Sequence, residues 1–330
     1  MKSLLMLSSF PMLNKYFSVL IFCFGIQLRF YTQDLNLLDQ IPDSTIKMEP
    51  VFATFKTVRL GNIQTTECIK SRHLDFRILH RFGNLYNTAL PNPLNQSAQN
   101  LFGLNQVSDV RFSLDYGITS HLSIGLGHSS WNKLIDANMK WRILQQYTTK
   151  RRPITLVLFL SAGYSHMPTS MLYAGVYKNF ETREAHRFNY VSQLLIARKC
   201  NSRLSLELIP GFIHRNFIIE SKNSTNGAYD LNDNFTLGAG ARIKIASRVC
   251  LIGDYTQVFG AYYKSNADRQ MPLALGVELE TGGHVFSLIY TNASAIIENN
   301  LLTQTTDSWI KGQIKFGFCI SRTFSFQHLD

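Results

Sequence analysis

At 330 residues the chain is long enough for one large all-β domain, and 33 lysines and arginines against 22 acids give it a formal net charge of +11. Beyond the N-terminal leader its longest apolar run, Ile154–Leu160, is far shorter than the ~20 residues that a membrane-spanning helix needs, which excludes a helical membrane protein. The basic residues are spread along the chain rather than clustered, so their excess does not predict a nucleic-acid partner.

The N-terminal residues have the pattern of an export signal. Lys15 begins a charged region, and an apolar run follows it. The bond between Thr32 and Gln33 is a plausible cleavage point. Met1 and Met12 are both possible starts. Residues 1–32 are therefore predicted to be a signal peptide, with an uncleaved anchor helix as the alternative.

The segment 33–71 lies between this leader and the first regular pattern. Part of it, 51–60, looks extended, but counting that stretch as a membrane span would put the N-terminus outside. We therefore predict that residues 33–71 form a periplasmic or lumen-filling segment ahead of a barrel.

From residue 72 to 326, short stretches alternate strictly between apolar and polar residues. One stretch places Val110 and Phe112 on one face and Asp109 and Arg111 on the other. This period of two predicts a transmembrane antiparallel up-and-down β-barrel of about 12 strands, with ten to fourteen possible. A secreted sandwich or soluble barrel also alternates, but strands near ten residues long with aromatic ends favour the membrane. The predicted strands are 72–83, 107–117, 122–129, 134–144, 153–165, 186–198, 203–214, 233–246, 248–259, 271–281, 284–291 and 309–326.

Connection length predicts the orientation, because outer-membrane barrels have short periplasmic turns and longer external loops. The short connections 198–203, 246–248 and 281–283 are predicted to be periplasmic. The predicted external loops include 84–106, 215–232, 261–270 and 292–308. An even strand number then leaves both termini in the periplasm, with 327–330 as a C-terminal tail.

The alternation also assigns charged side chains to the lumen, where acids and bases are about equal in number. Cross-strand ion pairs that fill the lumen are the simpler interpretation, and a basic surface that selects anions is the alternative. Arg77, Arg81, Arg111 and Arg142 come from neighbouring strands and form a candidate basic patch. The predicted inward charges are Asp75, Arg77, Arg81, Asp109, Arg111, Asp115, Asp136, Lys140, Arg142, Glu207, Arg242, Lys244, Asp254, Glu278, Glu280, Lys311 and Lys315. Polar lumen positions such as Thr236 and Gln313 are expected to tolerate a charge.

Catalytic and cofactor signals are weak. The scattered cysteines form no CxxC pair, so no cofactor or metal site is predicted. His128 stands beside Ser129 and Ser130, but the chain has no GxSxG motif. The chain is therefore predicted not to be an enzyme, with an outer-membrane lipid-modifying enzyme as the minor alternative.

Several phrases resemble a bacterial outer-membrane family. They are the run 52–59, the phrase DFRILHRFG at 75–83, FGLNQ at 102–106, DYGIT at 115–119 and IGLG at 124–127. On these residues the chain is similar to the outer-membrane β-barrel family catalogued as domain of unknown function 5777, over about 49–326. The resemblance implies an exported barrel without an assigned reaction.

Together these observations predict a barrel in the bacterial outer membrane whose specific activity stays open. A narrow porin or solute channel is one possibility, and a structural scaffold for periplasmic partners is the other. The expected partners are outer-membrane lipid, small solutes or periplasmic proteins, and the barrel-assembly machinery, whose recognition signal the aromatic last strand resembles.

Overall fold

The computed structural model describes residues 49–88, 90–148, 152–173, 181–281 and 284–326. These belong to a compact unit, Glu49–Asp330, that is separate from Met1–Met48. The predicted signal peptide 1–32, residues 33–48 and the tail 327–330 lie outside the described residues.

Twelve antiparallel strands form a closed barrel, which confirms the predicted fold and strand number. Each strand pairs with its neighbours in sequence, and the last pairs with the first to close the ring. Two short strands, β1 (Arg59–Leu60) and β2 (Ile63–Gln64), form a separate hairpin. The barrel strands are β3 (His73–Asn84), β4 (Val107–Gly117), β5 (Leu122–Ser129), β6 (Leu134–Leu144), β7 (Thr155–Ser165), β8 (Phe188–Lys199), β9 (Leu204–Arg215), β10 (Asp233–Ala246), β11 (Val249–Val258), β12 (Leu273–Thr281), β13 (His284–Thr291) and β14 (Lys315–Ser325).

Most strand boundaries lie within two residues of their predicted positions, and β14 is the exception. It was predicted to begin at residue 309 but begins at Lys315, because residues 309–312 form turns and 313–314 belong to no strand. Lys311 and Gln313, both predicted to face the lumen, therefore lie in this connection. The Gln313 amide donates a hydrogen bond to Asn87 in another loop, at 3.2 Å.

Alternation in β5 shows why these residues form a barrel wall. Leu126 points outward and is 62% exposed in the chain by itself, which suits lipid and not water. The inward positions are small. A Cβ at Gly125 would lie 2.0 Å from a carboxylate oxygen of Asp115, and one at Gly127 would lie 2.1 Å from the guanidinium of Arg111. Glycine on β5 thus leaves room for the long charged side chains of β4.

The two ends of the barrel differ in the length of their connections. The long connections carry three short helices, α1 (Pro93–Gln99), α2 (Thr169–Leu172) and α3 (Glu298–Gln304). No helix among the described residues is long and apolar enough to cross a membrane. We define the long-loop rim as the described residues of 85–106, 130–133, 166–187, 215–233, 259–272 and 306–314. The short-loop rim is defined as the described residues of 49–56, 70–73, 117–121, 142–154, 198–204, 244–249, 280–284 and 322–326.

Candidate functional site in the barrel lumen

Residues 52–71, here called the lumen hairpin, enter and leave the barrel at the short-loop rim. On the way in, the Val51 amide donates to the Gln146 carbonyl at 2.8 Å. On the way out, the Arg72 amide donates to the Gly117 carbonyl at 2.9 Å. Between these two anchors the chain contacts inward side chains from all round the barrel.

The tip of the lumen hairpin requires glycine. Gly61 has a φ of +53°, in the left-handed region, and a Cβ there would lie 2.1 Å from an Asp254 oxygen on β11. The next amide, that of Asn62, donates to the same Asp254 oxygen at 2.9 Å. The turn therefore fits against β11 only without a side chain at this position.

Asn62 connects the hairpin tip to two further strands of the wall, β13 and β3. Its amide group donates to the Thr291 hydroxyl on β13 at 3.1 Å, and its carbonyl oxygen accepts from the Arg81 guanidinium on β3 at 2.6 Å. A neutral amide thus satisfies a donor and an acceptor on two different strands. Asn62 is fully buried, so each of these bonds replaces one to water.

A second segment, residues 292–305, here called the inserted loop, also lies in the lumen. It belongs to the connection 292–308 that was predicted to be an external loop, and it folds into the lumen, with Ile296, Ile297 and Leu301 at most 1% exposed. The Ile296 amide donates to Asp109 on β4 at 2.9 Å, and the Asn299 side chain donates to β8. The burial of this apolar run supplies the physical reason for the inward fold.

Arg59 and Glu298 join the two lumen segments. Their side chains form an ion pair at 3.0 Å, with side-chain exposures of only 4% and 1%. Gln64 on the hairpin donates to the same carboxylate at 3.3 Å, and Arg59 also donates to the Ile296 carbonyl. Because both charges are removed from water, losing either one leaves the other buried without a counterion.

Lys140 on β6 holds both arms of the lumen hairpin. Its ammonium group donates to the carbonyls of Val58 at 2.7 Å, Thr65 at 2.9 Å and Glu67 at 3.4 Å. On the hairpin itself, burial raises the pKa of the Glu67 carboxyl above its ordinary value, although the Phe55 amide donates to it at 3.1 Å.

Further ion pairs lie within the wall. Arg111 forms a two-point pair with Asp136 on β6, with the longer contact at 2.8 Å. Arg242 on β10 contacts Glu278 at 2.6 Å and Glu280 at 2.8 Å on β12. These pairs link strands that are not neighbours in the sheet, across an inward face that they fill.

The four arginines of the predicted basic patch have different surroundings. Arg77 on β3 pairs with Asp75 and lies 3.7 Å from Asp115 on β4, and Arg111 is paired with Asp136 as above. Arg81 has no wall carboxylate within ion-pair distance among the described residues. Its guanidinium donates to the two lumen segments, through Asn62 and the carbonyls of Ala293 and Ala295. Arg142 lies at the short-loop rim, half-buried, and donates to the Ser120 carbonyl at 3.2 Å.

Packing beside the hairpin leaves little space. A cavity of about 10 Å³ is lined by Arg59, Gly61, Leu79, Arg81 and Ile296, among others, which is room for about one water molecule. The inward charges thus surround packed protein in this part of the lumen. Thr236, expected from the sequence to tolerate a charge, is only 4% exposed on the inward face of β10, where an added long side chain lacks room.

Sequence reasoning missed Arg59, Asn62 and Glu298 as lumen residues. The first two lie in a segment whose place the sequence left open, and the third lies in a loop rich in polar residues. One signal was present: the apolar pairs 296–297 and 301–302 are unusual in a loop rich in Asn, Ser and Thr. Such pairs indicate a buried face.

The histidine and serines considered for catalysis do not converge. His128 points outward from β5, near His166 with ring centroids 5.3 Å apart, whereas Ser129 is fully buried on the inward face. The Ser130 hydroxyl donates to Asp109 at 3.0 Å. His128 and Ser129 therefore lie on opposite sides of the wall and form no nucleophile–base pair.

The sequence matches the family described as a membrane bound beta barrel domain, domain of unknown function 5777, over residues 55–324. The chain belongs to this family, which confirms the resemblance seen in the sequence and a membrane location. No curated protein matches the chain significantly.

Three solved structures resemble the chain weakly. The chain is 9% identical to the NanC porin, with a TM-score of 0.43 over 77% of this chain and 99% of that one. The chain is also 9% identical to the KdgM porin, with a TM-score of 0.39 over 77% of this chain and 99% of that one. It is 10% identical to LpxR from Salmonella typhimurium, with a TM-score of 0.33 over 77% of this chain and 100% of that one. At these TM-scores the similarities carry no functional argument.

Proposed function

We propose that this membrane-bound barrel is a narrow solute channel of the bacterial outer membrane, held closed by its own lumen hairpin and inserted loop. The observation that carries this proposal is the way the hairpin is attached. Among the described residues β1 and β2 pair only with each other, and the barrel closes through β14 and β3 without them. The hairpin can therefore leave without opening the sheet.

The chemistry of the attachment supports a removable closure. Polar contacts from Lys140, Arg81 and Glu298 hold the hairpin, and no continuous ladder of backbone hydrogen bonds joins it to the wall. Its apolar side chains Phe55, Leu60 and Ile63 also pack against inward apolar residues of the wall. In water each of the polar groups can exchange its protein partner for solvent, so a hydrated lumen compensates for the lost polar contacts, and the apolar packing is the main cost of release.

The inward face of the wall is mixed. Charged side chains lie on β3, β4, β6, β10 and β12, as in barrels that conduct water and solutes. Apolar side chains such as Phe159, Leu195 and Ile213 lie on β7, β8 and β9.

In this proposal only part of the predicted basic patch contributes free positive charge to the lumen. Arg77 and Arg111 keep their wall carboxylates when the hairpin leaves, so their charges stay neutralised. Lys140 loses its backbone acceptors when the hairpin leaves, and Arg81 loses its remaining acceptors once the inserted loop leaves as well. Both then become cations that face the opened lumen. Anion preference, if the open barrel has it, is expected to depend on Arg81 and Lys140.

Single-channel recording in planar bilayers tests this proposal. The full chain is expected to be silent for most of the time, and a variant lacking residues 33–71 is expected to conduct steadily. Because the deletion removes many contacts at once, Glu298→Ala is measured as well and is expected to flicker open. Lys264→Ala, an exposed change on the long-loop rim, is the matched control and is expected to stay closed.

If neither the deletion variant nor Glu298→Ala conducted, in preparations that keep their β-sheet content, the channel proposal would be wrong. The scaffold for periplasmic partners would then be the better description. Phospholipid hydrolysis that is lost in His128→Ala would overturn both and make the barrel a lipid-modifying enzyme.

A further inference from the structure

The two rims of the barrel carry very different net charge. The described residues of the long-loop rim hold eight lysines and arginines against seven acids, which nearly cancel. Those of the short-loop rim hold eleven lysines and arginines against only two acids, Glu49 and Glu280. In the sequence the basic residues look dispersed, but antiparallel strands bring their short turns to one end.

Most of this positive charge is not neutralised locally. Six of the basic side chains are exposed, and the described residues give none of them a carboxylate partner: Lys70, Arg72, Arg152, Arg203, Arg248 and Arg322. Of the two acids, Glu280 is already shared between Lys56 at 3.1 Å and Arg242 at 2.8 Å. The short-loop rim therefore presents a strongly positive field to its surroundings.

The basic residues form a continuous arc along adjoining strand ends. The Lys244 amide donates to the Arg203 carbonyl at 2.7 Å, and the Glu280 amide donates to the Arg248 carbonyl at 2.9 Å. On the next strands Arg322 stands opposite His284. The Phe326 amide then donates to the Arg72 carbonyl at 2.9 Å. The arc thus runs from β9 through β14 to the start of β3.

The arc extends over the mouth as well as the lipid-facing side. The Lys199 ammonium group lies 3.4 Å from the carbonyls of Phe52 and Ala53, where the lumen hairpin enters. Arg203 and Arg248 stand in turns that project from the end of the barrel. Lipid headgroups reach only the outer side of such a rim, whereas a soluble partner placed over the mouth contacts all of it.

We propose that the short-loop rim is a docking surface for a soluble periplasmic protein with an acidic face. Charge complementarity is the argument for this occupant, because eleven cations against two acids attract an acidic surface and repel a basic one. The proposal goes beyond channel activity and holds for a conducting or a silent barrel.

The first test uses a fluorescent oligoglutamate peptide of about 20 residues as the probe, with the full chain in nanodiscs of zwitterionic lipid. The rim variant combines Arg72→Glu, Arg203→Glu and Arg248→Glu. The control combines Lys133→Glu, Lys264→Glu and Lys311→Glu on the long-loop rim, and changes the net charge by the same amount. We expect the rim variant to bind the peptide about tenfold or more weakly and the control to change affinity less than about twofold. Equal losses in both variants would overturn the proposal.

The second test identifies the occupant in cells. A photo-cross-linking residue is placed at Ser247, beside Arg248. The expected adduct is a periplasmic protein of net acidic composition, absent in the variant Arg72→Glu with Arg203→Glu and present in the control set. Adducts with lipid alone, or a protein adduct that both sets retain, would contradict an acidic docking partner.

Discussion

The barrel wall and the material inside it are stabilised in different ways. In the wall each strand pairs with its neighbour along the chain, and alternating side chains separate lipid from lumen. Inside, Arg59 meets Glu298 across 239 positions of sequence, and Asn62 meets Thr291 across 229. The wall is local and repetitive, whereas the lumen filling depends on particular polar and apolar contacts between distant segments.

This difference has a consequence for how each region fails. A substitution in the wall affects a sheet with many equivalent bonds, and its cost depends on depth in the membrane. A substitution at one lumen contact leaves a specific buried partner unsatisfied. Changes inside the barrel should therefore release the lumen segments while the wall stays folded.

The largest expected effect is at the ion pair between the two lumen segments. Arg59→Met leaves the Glu298 carboxylate buried beside Gln64 without its cation, and we expect docking of the lumen hairpin to weaken by about 3–5 kcal/mol. Amide hydrogen exchange within residues 57–66 measures this loss. The double variant Arg59→Met with Glu298→Leu removes both charges and should restore most of the protection. Equal exchange in the single and double variants would contradict a coupled pair.

The next largest effect is expected in the wall. Leu126→Arg places a charge on the outward face of β5 and should lower the free energy of unfolding by about 2–4 kcal/mol near the membrane midplane. Leu126→Met is the control, with an expected cost below about 1.5 kcal/mol. Urea titration in lipid bilayers gives both values. If Leu126→Arg left the free energy of unfolding unchanged, this face of β5 would not contact lipid.

At the hairpin tip we expect a cost of about 2–3 kcal/mol in docking for Gly61→Ala. Strain at positive φ contributes part of this, and the clash with Asp254 contributes the rest. Gly227 lies in a loop with a φ of +74°, and a Cβ there would have its nearest neighbour at 3.5 Å. Gly227→Ala therefore adds backbone strain without a clash and should destabilise its loop by about 1 kcal/mol. Indistinguishable effects of the two substitutions would show that the tip does not contact β11.

The smallest effect concerns pH. Burial raises the pKa of Glu67, so the docked hairpin binds this proton more tightly than the released one. The resulting contribution to docking is full below the ordinary value of 4.5 and is lost as the pH rises through the raised pKa of Glu67. Hydrogen-exchange protection of residues 57–66, relative to the intrinsic exchange rate at each pH, should therefore be higher at acid pH. The Glu67→Gln variant should have a flatter profile, and an unchanged profile would exclude Glu67 as the titrating group.

The sequence was sufficient to predict the wall because the wall repeats. Alternation in a stretch such as Val107–Gly117 recurs with each strand, and the strand count follows from it. The start of β14 was missed because Ile310 and Ile314 continue the alternation through residues that belong to no strand. Period alone cannot separate a strand from a polar connection with the same spacing.

The lumen was beyond such reasoning because its contacts have no period. The alternation was enough to assign Arg77, Arg81 and Arg111 to the inward face. It could not predict that Arg81 donates hydrogen bonds to the carbonyls of the inserted loop. The basic short-loop rim was likewise hidden. Arg203 and Arg248 are 45 positions apart in sequence yet lie in adjacent turns once the strands pair.

Thiol labelling at Thr66 tests most directly whether the lumen hairpin closes the barrel. Thr66 is 1% exposed and its hydroxyl has no hydrogen-bond partner among the described residues, so Thr66→Cys preserves size at little cost. It is introduced with Cys68, Cys200, Cys250 and Cys319 replaced by serine or alanine, and a polar thiol reagent is added to protein in lipid vesicles. A docked hairpin predicts labelling at least about tenfold slower than at an exposed Ser202→Cys control, and faster labelling once Arg59→Met is added. Equal rates at positions 66 and 202 in the chain with Arg59 intact would show that the lumen is open to water.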